Sequence, residues 1–446
     1  MILELWQNTV ARRGDQPAII EAAGGRAVTF AQLDAAAEAW RRRHVPGGEV
    51  RRQVILLAER NGPGWFTAFL GLLRAGAVIV PVDPAEPVAA QERMGRQLGA
   101  AGRWNGASWQ GLGGGRRFAT PDPCLVKLTS GSTGTPRALV FKAAEMVADA
   151  RQVMGTMGID ARDVNYGAIP FGHSYGLGNL VFPLLISGVP VVCASAVLPA
   201  AIASDLERWR PTVFPGVPAL WRVLGATDTA RALSGLRLAI SAGARLPVET
   251  AEALFARTGV HLHNFYGSSE TGGIAFDRDG RATLAGGVGT ALDGVHLHFT
   301  GDRLEVRSPA VFTYGNRRRC EGVGAWRVHD RVERTPDGGI VVAGRAGAPV
   351  KIGGRRIDPE AVAQRIRALQ GVSEAWVGVR EAAEPELTAI VAAGRPVAEI
   401  RAELLRVVAP WQVPKRWLTV PELPLTARGK TDLAALRRLL EPTIPG

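Results

Sequence analysis

Short apolar runs rich in β-branched residues alternate with amphipathic segments along this chain, and this alternation restricts its fold more than any other feature. Residues 78–82 (Val-Ile-Val-Pro-Val) follow a segment of helical character at 65–74. After the apolar run 139–141, apolar residues recur with helical spacing from 146 to 154. Further strand candidates lie at 189–192, 212–214 and 236–240. The pattern predicts an α/β protein whose sheets are flanked by helices and largely buried.

The residue pattern of the sequence changes near Gly344. Residues 350–446 have the pattern of a small α+β unit, and Gly and Ala enrich the segment 343–349, which suits a flexible connection. We therefore predict a large N-terminal domain over residues 1–343 and a small, mobile C-terminal domain over residues 344–446.

Positive charge is abundant but scattered. The formal net charge is +12, yet the densest basic clusters, 41–43 and 317–319, are three residues long. No nucleic-acid-binding signature accompanies them, so we predict no nucleic-acid partner and a general attraction for anionic ligands. A lysine in such an arginine-rich chain indicates a need for a compact point charge. Lysine occurs at positions 127, 142, 351, 415 and 430.

Cysteine usage and hydropathy favour a cytoplasmic protein. Cys124, Cys193 and Cys320 are far apart and fit neither a disulfide framework nor a metal-binding spacing. The N-terminal segment lacks the positive-then-apolar order of a signal peptide. The uncharged stretch 180–203 is long enough to cross a bilayer, but proline and glycine divide it into short pieces. We predict a buried helix end and a core strand there, and no membrane span.

The strongest functional signal is the segment 128–137, in which hydroxyl residues and glycines alternate directly after the apolar run 124–126. Glycines let backbone N–H groups turn toward an anion, and Ser and Thr hydroxyls add donors, so such a loop can hold phosphate oxygens. An ordinary polar β-turn is the alternative. The spacing of a Walker loop is absent.

As a nine-residue string, residues 129–137 resemble the phosphate-binding loop of adenylate-forming enzymes, the superfamily of acyl-CoA synthetases, nonribosomal-peptide adenylation domains and luciferases. Arg137-Ala138 stands where that family usually has Lys-Gly. The resemblance continues in order through nearly the whole chain. Segments similar to the other family motifs lie at 28–33, 73–84, 170–177, 241–246, 264–271, 326–345 and 423–430.

The resemblance implies an ATP site with Mg²⁺. Glu270 is implied as the metal ligand, Tyr266 as a flat face for adenine, and Asp330 as the acceptor of both ribose hydroxyls. Lys430, on the loop that resembles the family's mobile catalytic loop, is implied to bridge the incoming carboxylate and the phosphoester oxygen. The remaining nucleotide-binding positions implied in this way are Thr129, Ser130, Gly131, Ser132, Thr133, Gly134, Arg137, Gly243, Ala244, Asn264, Gly267, Ser269 and Arg345.

These residue types suit the chemistry independently. Attack by a carboxylate on the α-phosphate of ATP brings two anions together, so catalysis depends on positioning and on charge neutralisation. Mg²⁺ prefers one or two carboxylates together with phosphate oxygens. A carboxylate beside a hydroxyl-rich turn, as at Ser269-Glu270, fits that requirement.

The reaction implied is ATP-dependent conversion of a small-molecule carboxylic acid to acyl-AMP. Transfer to coenzyme A or to the phosphopantetheine of an acyl carrier protein would follow. His173 is expected to line the acyl pocket, although a structural histidine is the alternative. Amino-acid-activating relatives carry an aspartate where Gly172 or His173 stands, so a fatty or aryl acid is favoured. The alternatives are an amino-acid-adenylating enzyme, a luciferase-like oxygenase and a non-catalytic nucleotide-binding relative.

Departures from the family pattern cluster near the predicted domain joint. Gly347 stands where the family places its hinge aspartate, Val328-His329 replaces Thr-Gly, and Ala361 replaces an acidic residue. These changes leave the adenylation residues in place. They concern the rotation of the small domain that precedes thioester formation.

We predict that Lys430→Ala lowers acyl-AMP formation by about 10²–10³-fold, because a donor that neutralises charge in the transition state typically contributes that much. Pyrophosphate release measures the rate, and calorimetry with ATP provides the control, since ATP binding should be nearly unchanged. Normal pyrophosphate release by the variant would contradict the role assigned to Lys430.

Overall fold

The computed structural model describes residues 1–45, 50–118, 120, 122–129, 137–301, 303–312, 324–345, 350–353, 355–380, 384–424 and 433–440. Helices span Ile2–Arg13 (α1), Phe30–His44 (α2), Pro63–Arg74 (α3), Val88–Leu98 (α4), Ala143–Met157 (α5), Ser174–Gly176 (α6), Phe182–Ser187 (α7), Pro199–Trp209 (α8), Pro218–Ala226 (α9), Val248–Thr258 (α10), Arg281–Leu284 (α11), Pro359–Arg367 (α12), Val397–Leu405 (α13) and Leu433–Leu440 (α14). A π-helical turn at Leu177–Val181 joins α6 to α7.

The strands in the first part of the chain are Pro17–Glu21 (β1), Arg26–Thr29 (β2), Val54–Leu57 (β3), Val78–Pro81 (β4), Gly102–Trp104 (β5), Trp109–Gly111 (β6), Pro123–Thr129 (β7), Arg137–Lys142 (β8), Asn165–Gly167 (β9), Val191–Cys193 (β10), Val213–Gly216 (β11) and Leu238–Ser241 (β12). Those in the second part are Leu262–Ser268 (β13), Gly272–Phe276 (β14), Thr290–Ala291 (β15), His296–Thr300 (β16), Arg303–Arg307 (β17), Ala325–Arg334 (β18), Ile340–Arg345 (β19), Val350–Ile352 (β20), Arg355–Ile357 (β21), Val372–Arg380 (β22), Glu386–Ala393 (β23) and Arg416–Thr419 (β24).

The chain divides into two compact units. The first comprises residues 1–83, 95–128 and 138–346, and the second comprises residues 84–94, 129–137 and 347–446. The predicted α/β class, with sheet-rich N-terminal and small C-terminal parts, is confirmed. The boundary at 343/344 stays a prediction, because residues 346–349 lie outside the described part of the chain.

A mostly parallel sheet forms the centre of the first unit. Its strand order is β15-β14-β13-β12-β11-β9-β10-β1-β2. The strands from β13 to β1 run parallel, while β14, β15 and β2 add antiparallel edges. A second sheet has the order β6-β5-β3-β4-β7-β8, and a third has the order β16-β17-β18-β19. The third sheet is antiparallel. Because the parallel strands of the first two sheets need crossovers, helices cover those two sheets, as the alternating sequence predicts.

Two hydrophobic clusters hold the first unit together. The larger one combines buried side chains of the first two sheets with those of α1, α2, α3, α5 and α7. The other packs α8, α9 and α10 against β9 to β12, around the fully buried side chains of Tyr166, Phe214 and Trp221. The central parallel sheet is therefore covered on both faces.

Local sequence explains where the helices begin. Thr29 and Gln32 form a capping box at the start of α2, with reciprocal hydrogen bonds of 3.2 and 3.0 Å. Proline occupies the first turn of α3, α8 and α9, where its missing N–H costs nothing. Gly158, at φ 61°, ends α5 in the left-handed region.

The stretch 180–203 forms α7, then strand β10, and then the start of α8, as a buried helix end followed by a core strand. Among the described residues, the structure contains no helix that is both long enough and apolar enough to cross a membrane.

The second unit has its own core. Strand β22 pairs antiparallel with β23, which pairs parallel with β24. Apolar side chains of α12 and α13 pack on this sheet, among them Val362, Ile366 and Ile400. The carbonyl of Val407 accepts hydrogen bonds from Arg365 at 2.9 Å and from Arg93 at 3.3 Å. This unit matches the small α+β pattern that the sequence predicts.

Helices α2 and α3 approach closely at Gly71, and this contact yields a stability prediction. A Cβ atom at Gly71 would lie 2.4 Å from the Trp40 ring and 3.1 Å from the carbonyl of Ala37. Gly71→Ala should therefore lower the free energy of unfolding by about 1–3 kcal/mol through overpacking, although alanine favours helices. Urea denaturation followed by tryptophan fluorescence measures the change.

The matched control is Gly155→Ala in α5, where a Cβ atom would meet no heavy atom within 4 Å and the residue is exposed. That substitution should stabilise the protein by about 0.4–1 kcal/mol. Equal shifts of the same sign in both variants would show that helix propensity, and not packing, governs Gly71.

Candidate active site

The turn between β13 and β14 carries Glu270 and is closed by hydroxyl groups. The Oγ atom of Ser268 accepts hydrogen bonds from the N–H groups of Glu270 and Thr271, each at 3.2 Å. The Glu270 carbonyl accepts the N–H of Phe312 at 3.1 Å. A Cβ atom at Gly267 would lie 2.7 Å from the carbonyl oxygen of Gly272, so the two arms of the turn approach too closely for a side chain. The turn therefore fixes Glu270, whose residue surface is 3% exposed.

Tyr266 and Asp330 contact each other directly. Tyr266 lies on β13 and Asp330 lies on β18, and the Tyr266 hydroxyl donates to Oδ2 of Asp330 at 2.7 Å. Both residues are half-buried. Asp330 pairs in register with Arg345 at the end of β19. The structure thus joins two residues to which the resemblance assigns adenine and ribose, although they are far apart in sequence.

Gly243 and Ala244 follow the carboxyl end of β12. Ser241 on β12 pairs with Asn264 on β13 in parallel register. Gly243 adopts φ +91°, in the left-handed region that glycine enters at low cost, at a bend just beyond the sheet edge. In open α/β sheets, ligands bind outside the carboxyl ends of the strands. The predicted contacts of Gly243 and Ala244 with the nucleotide suit this position and stay predictions.

Asn264 forms hydrogen bonds to α11 and to the loop that follows it. Its backbone N–H donates to Thr283 Oγ1 at 2.8 Å, and its side-chain Nδ2 donates to the Gly287 carbonyl at 2.8 Å. With 7% exposure, the side chain is buried and fixes the loop after α11. Ser269 is half-buried within the β13–β14 turn. Contacts of Asn264 and Ser269 with a nucleotide stay predictions.

The ends of the phosphate-binding segment are described. Thr129 ends β7 and is 5% exposed, whereas Arg137 begins β8 and is exposed. The intervening residues, and the catalytic-loop lysine, lie outside the described part of the chain. Six of the predicted roles therefore stay predictions, those of Ser130, Gly131, Ser132, Thr133, Gly134 and Lys430.

His173 and its neighbours form the predicted acyl region. His173 is half-buried, and its backbone carbonyl accepts the Leu177 N–H at 2.8 Å. Tyr175 donates from its hydroxyl to the Ile240 carbonyl at 3.3 Å, and its ring centroid lies 5.9 Å from that of Phe265. Burial raises the pKa of the Tyr175 hydroxyl well above its usual value. Tyr175 is therefore a neutral aromatic side chain at this end of β12 and β13.

Gly172 leaves no space for a side chain. A Cβ atom there would lie 2.7 Å from the Cβ atom of Pro81. Any larger residue at position 172 would require Pro81 to move, so the structure explains why this position carries glycine.

A buried lysine lies two positions before the segment 129–137, and sequence reasoning assigned it no role. Lys127 lies inside the apolar strand β7 and is 5% exposed. Its Nζ atom lies 4.2 Å from the ring centroid of Phe141. The one available signal was a lysine within an apolar run of a lysine-poor chain.

The residues present fit the way in which Mg²⁺ is usually held by nucleotide-binding enzymes. The described residues contain no group of three or more His, Cys, Asp or Glu side chains that could hold a metal ion. A single buried carboxylate at Glu270 instead suits an ion that takes most of its ligands from phosphate oxygens and water.

Removing the hydrogen bond between Tyr266 and Asp330 should weaken ATP binding. A hydrogen bond to a charged group contributes about 1.5–3 kcal/mol, so Tyr266→Phe should raise the Kd for ATP by roughly tenfold or more. The double variant with Asp330→Asn should bind scarcely worse than Asp330→Asn alone, because both changes remove one interaction. Calorimetry measures each Kd.

Tyr175→Phe is the control for this cycle, since it removes a hydroxyl that donates to Ile240 and not to Asp330. Its Kd for ATP should match that of the parent chain. Strictly additive effects of the Tyr266 and Asp330 substitutions would show that the two side chains act separately.

Sequence comparison shows that this chain is similar to ligases of known activity. The chain is 28% identical to benzoate–CoA ligase of Thauera aromatica over 347 residues, which cover 71% of this chain and 66% of that ligase. It is 30% identical to p-hydroxybenzoic acid–AMP ligase of Mycobacterium tuberculosis over 345 residues, covering 71% of this chain and 48% of that protein. The alignments thus span less than two thirds of these relatives' lengths.

A solved structure of an o-succinylbenzoate CoA synthetase double mutant from Bacillus subtilis superimposes with a TM-score of 0.85. It is 18% identical, and the match covers 98% of each chain, which establishes a shared fold. The family model described as AMP-binding enzyme matches residues 6–102 and 109–309. Because this match covers more than half of the chain and includes Glu270, Tyr266 and His173, the chain belongs to the AMP-binding enzyme family, the adenylate-forming superfamily.

Proposed function

We propose that this chain is an AMP-forming acid–thiol ligase that activates an aromatic carboxylic acid with ATP. The observation that carries the proposal is the arrangement at the carboxyl ends of β12 and β13. There a buried Glu270 and the Tyr266–Asp330 pair lie at the end of the strand whose Phe265 packs against Tyr175. Side chains that we propose to bind the nucleotide and to lie at the acyl group thus share one strand.

The nucleoside would be held by Tyr266 and Asp330. The Tyr266 hydroxyl fixes one carboxylate oxygen of Asp330 at 2.7 Å. The carboxylate retains acceptor capacity for ribose hydroxyls, because an ionised carboxylate has about four lone-pair positions. Tyr266 is half-buried, and its ring would provide the apolar surface on which adenine stacks.

Activation joins the acid to the α-phosphate. A carboxylate oxygen of the acid forms a bond to the α-phosphorus, the bond to the β-phosphate oxygen breaks, and pyrophosphate leaves with its electron pair. Glu270 would hold Mg²⁺, which neutralises phosphate charge when it is bound. Lys430 is proposed to stabilise the same charge from the acid side. Positioning and electrostatics supply the catalysis, since no proton transfer is required in this step.

The acyl region favours an aromatic acid without an ammonium group. Tyr175 and Phe265 pack against each other, with ring planes tilted by 44°, and would give this region its aromatic character. Neither Gly172 nor His173 carries a carboxylate, and Gly172 is held against Pro81. An α-amino acid would leave its ammonium group unpaired there, which costs several kcal/mol. The names of the relatives, which refer to benzoate and p-hydroxybenzoate, support the same class of acid.

The acyl-AMP would then react with a thiol. A thiolate sulfur bonds to the acyl carbon, AMP leaves, and the thiol proton passes to solvent. Coenzyme A and the phosphopantetheine of an acyl carrier protein both supply such a thiol. Coenzyme A is the acceptor named for benzoate–CoA ligase.

Two acids that differ only in the ammonium group test this proposal. We expect 3-phenylpropanoate to stimulate ATP-dependent pyrophosphate release at least 100-fold more, in kcat/KM, than phenylalanine, because an unpaired buried cation costs several kcal/mol. Benzoate and 4-hydroxybenzoate extend the panel to aromatic acids, and octanoate extends it to aliphatic ones. Each acid is assayed with and without coenzyme A.

Selective turnover of phenylalanine would assign the chain to the amino-acid-adenylating enzymes. If ATP binds but no acid in a broad panel releases pyrophosphate, the chain is a non-catalytic nucleotide-binding relative. With each acid, the Lys430→Ala variant measures the background rate of pyrophosphate release.

A further inference from the structure

One asparagine side chain holds the backbone of the predicted acyl region, and none of the steps above uses it. Asn61 lies in the loop between β3 and α3, and it contacts the segment 169–173, which follows β9 and ends at His173. Its Nδ2 atom donates to the Ile169 carbonyl at 2.8 Å, and its Oδ1 atom accepts the Phe171 N–H at 3.0 Å. These hydrogen bonds bridge 108 and 110 positions of sequence.

The side-chain amide of Asn61 suits these two partners. A carboxamide has an acceptor oxygen and N–H donors, so one side chain can satisfy a backbone carbonyl and a backbone N–H that lie two residues apart. Ile169 and Phe171 are buried, and buried backbone groups require hydrogen-bond partners. The two contacts differ in direction, so together they fix the backbone of the segment at two points.

Aromatic packing holds the same segment against α3. The ring centroid of Phe171 lies 4.9 Å from that of Phe66 and 5.7 Å from that of Trp65, and both partners belong to α3. Such packing anchors the Phe171 side chain but sets the direction of the backbone only weakly. The hydrogen bonds of Asn61, at the loop that precedes α3, supply that direction.

The start of α3 does not account for Asn61. Gly62 is the N-cap of this helix and Pro63 is its first residue, and no side-chain hydrogen bond caps it. The Asn61 amide instead bonds to the segment after β9. Because Asn61 is exposed, its replacement by alanine opens no internal cavity, and the two hydrogen bonds are the interaction that this replacement removes.

We propose that Asn61 is a positioning residue for the acid. By holding the Ile169 carbonyl and the Phe171 N–H, it keeps the segment that ends at His173 in its binding conformation before the acid arrives. The proposal rests on the proposed function, in which this segment borders the acid. A segment that is ordered in advance need not be ordered by the ligand, so less of the binding free energy is spent on ordering.

Asn61→Ala should therefore separate acid binding from nucleotide binding. We expect the KM for 3-phenylpropanoate to rise about tenfold, which corresponds to roughly 1.4 kcal/mol and lies within the contribution of two hydrogen bonds. The kcat should change less than about twofold, because the segment is in place once the acid is bound. The Kd for ATP should match that of the parent chain. Pyrophosphate release and calorimetry measure these constants.

Thr212 provides the matched control, because its hydroxyl group forms two hydrogen bonds at the opposite end of β9. Its Oγ1 atom accepts the Val164 N–H at 3.0 Å and donates to Asp163 Oδ1 at 2.8 Å. Thr212→Val should lower the melting temperature but leave the KM for the acid unchanged. An equal rise of this KM in both variants would show that lost stability causes it, and would overturn the proposal.

Amide hydrogen exchange, followed by mass spectrometry, tests the same hydrogen bonds without any substrate. Exchange at Phe171 should be about tenfold faster in Asn61→Ala than in the parent chain, because its acceptor is removed, and should keep the parent rate in Thr212→Val. Asn61→Asp keeps the acceptor for Phe171 and loses the donor to Ile169. Its KM for the acid should therefore lie between those of the parent chain and Asn61→Ala.

Unchanged exchange at Phe171 in Asn61→Ala would overturn the proposal, and so would faster exchange with an unchanged KM for the acid. A Kd for ATP that rises as much as the KM for the acid would also contradict it, because the effect would then not be confined to the acyl region. Failure of the proposed function appears differently, as absence of acid-dependent pyrophosphate release in the parent chain.

Discussion

The turn between β13 and β14 is closed from two sides by acceptors of backbone N–H groups. Ser268 Oγ accepts from Glu270 and Thr271 within the turn, and Asp149 Oδ1 accepts from Gly273 just beyond it. These contacts fix the backbone that carries Glu270 at the end of a parallel strand. The proposed positions of metal, nucleotide and acid all follow from this strand end.

Burial makes the turn sensitive to charge. Glu270 is 3% exposed, and Asp149 and Lys127 are hardly more accessible. In a medium of lower dielectric constant than water, charges interact strongly, and an uncompensated ion is costly.

The acyl selectivity proposed above involves a small residue as well as aromatic ones. Tyr175 and Phe265 pack against each other, and a Cβ atom placed on Gly172 would lie 2.7 Å from the Cβ atom of Pro81. In the proposed site, an ammonium group would find no carboxylate at positions 172 and 173, and its desolvation would cost several kcal/mol. Selectivity of this kind acts against the wrong acid and does not require a specific contact with the right one.

The sequence by itself determined the α/β class, the helix at α3, the strand at β4 and the order of the family motifs, because these depend on local periodicity and on contiguous residues. It also predicted roles for Glu270, Tyr266 and Asp330 one by one, from their chemistry and from the resemblance. The tertiary structure decided what these residues contact. The 2.7 Å hydrogen bond from Tyr266 to Asp330 joins strands of two different sheets, and Asp149 reaches Gly273 across 124 positions of sequence. No local sequence pattern encodes these contacts. Long-range packing alone brings such side chains together and removes the water that would screen their charges.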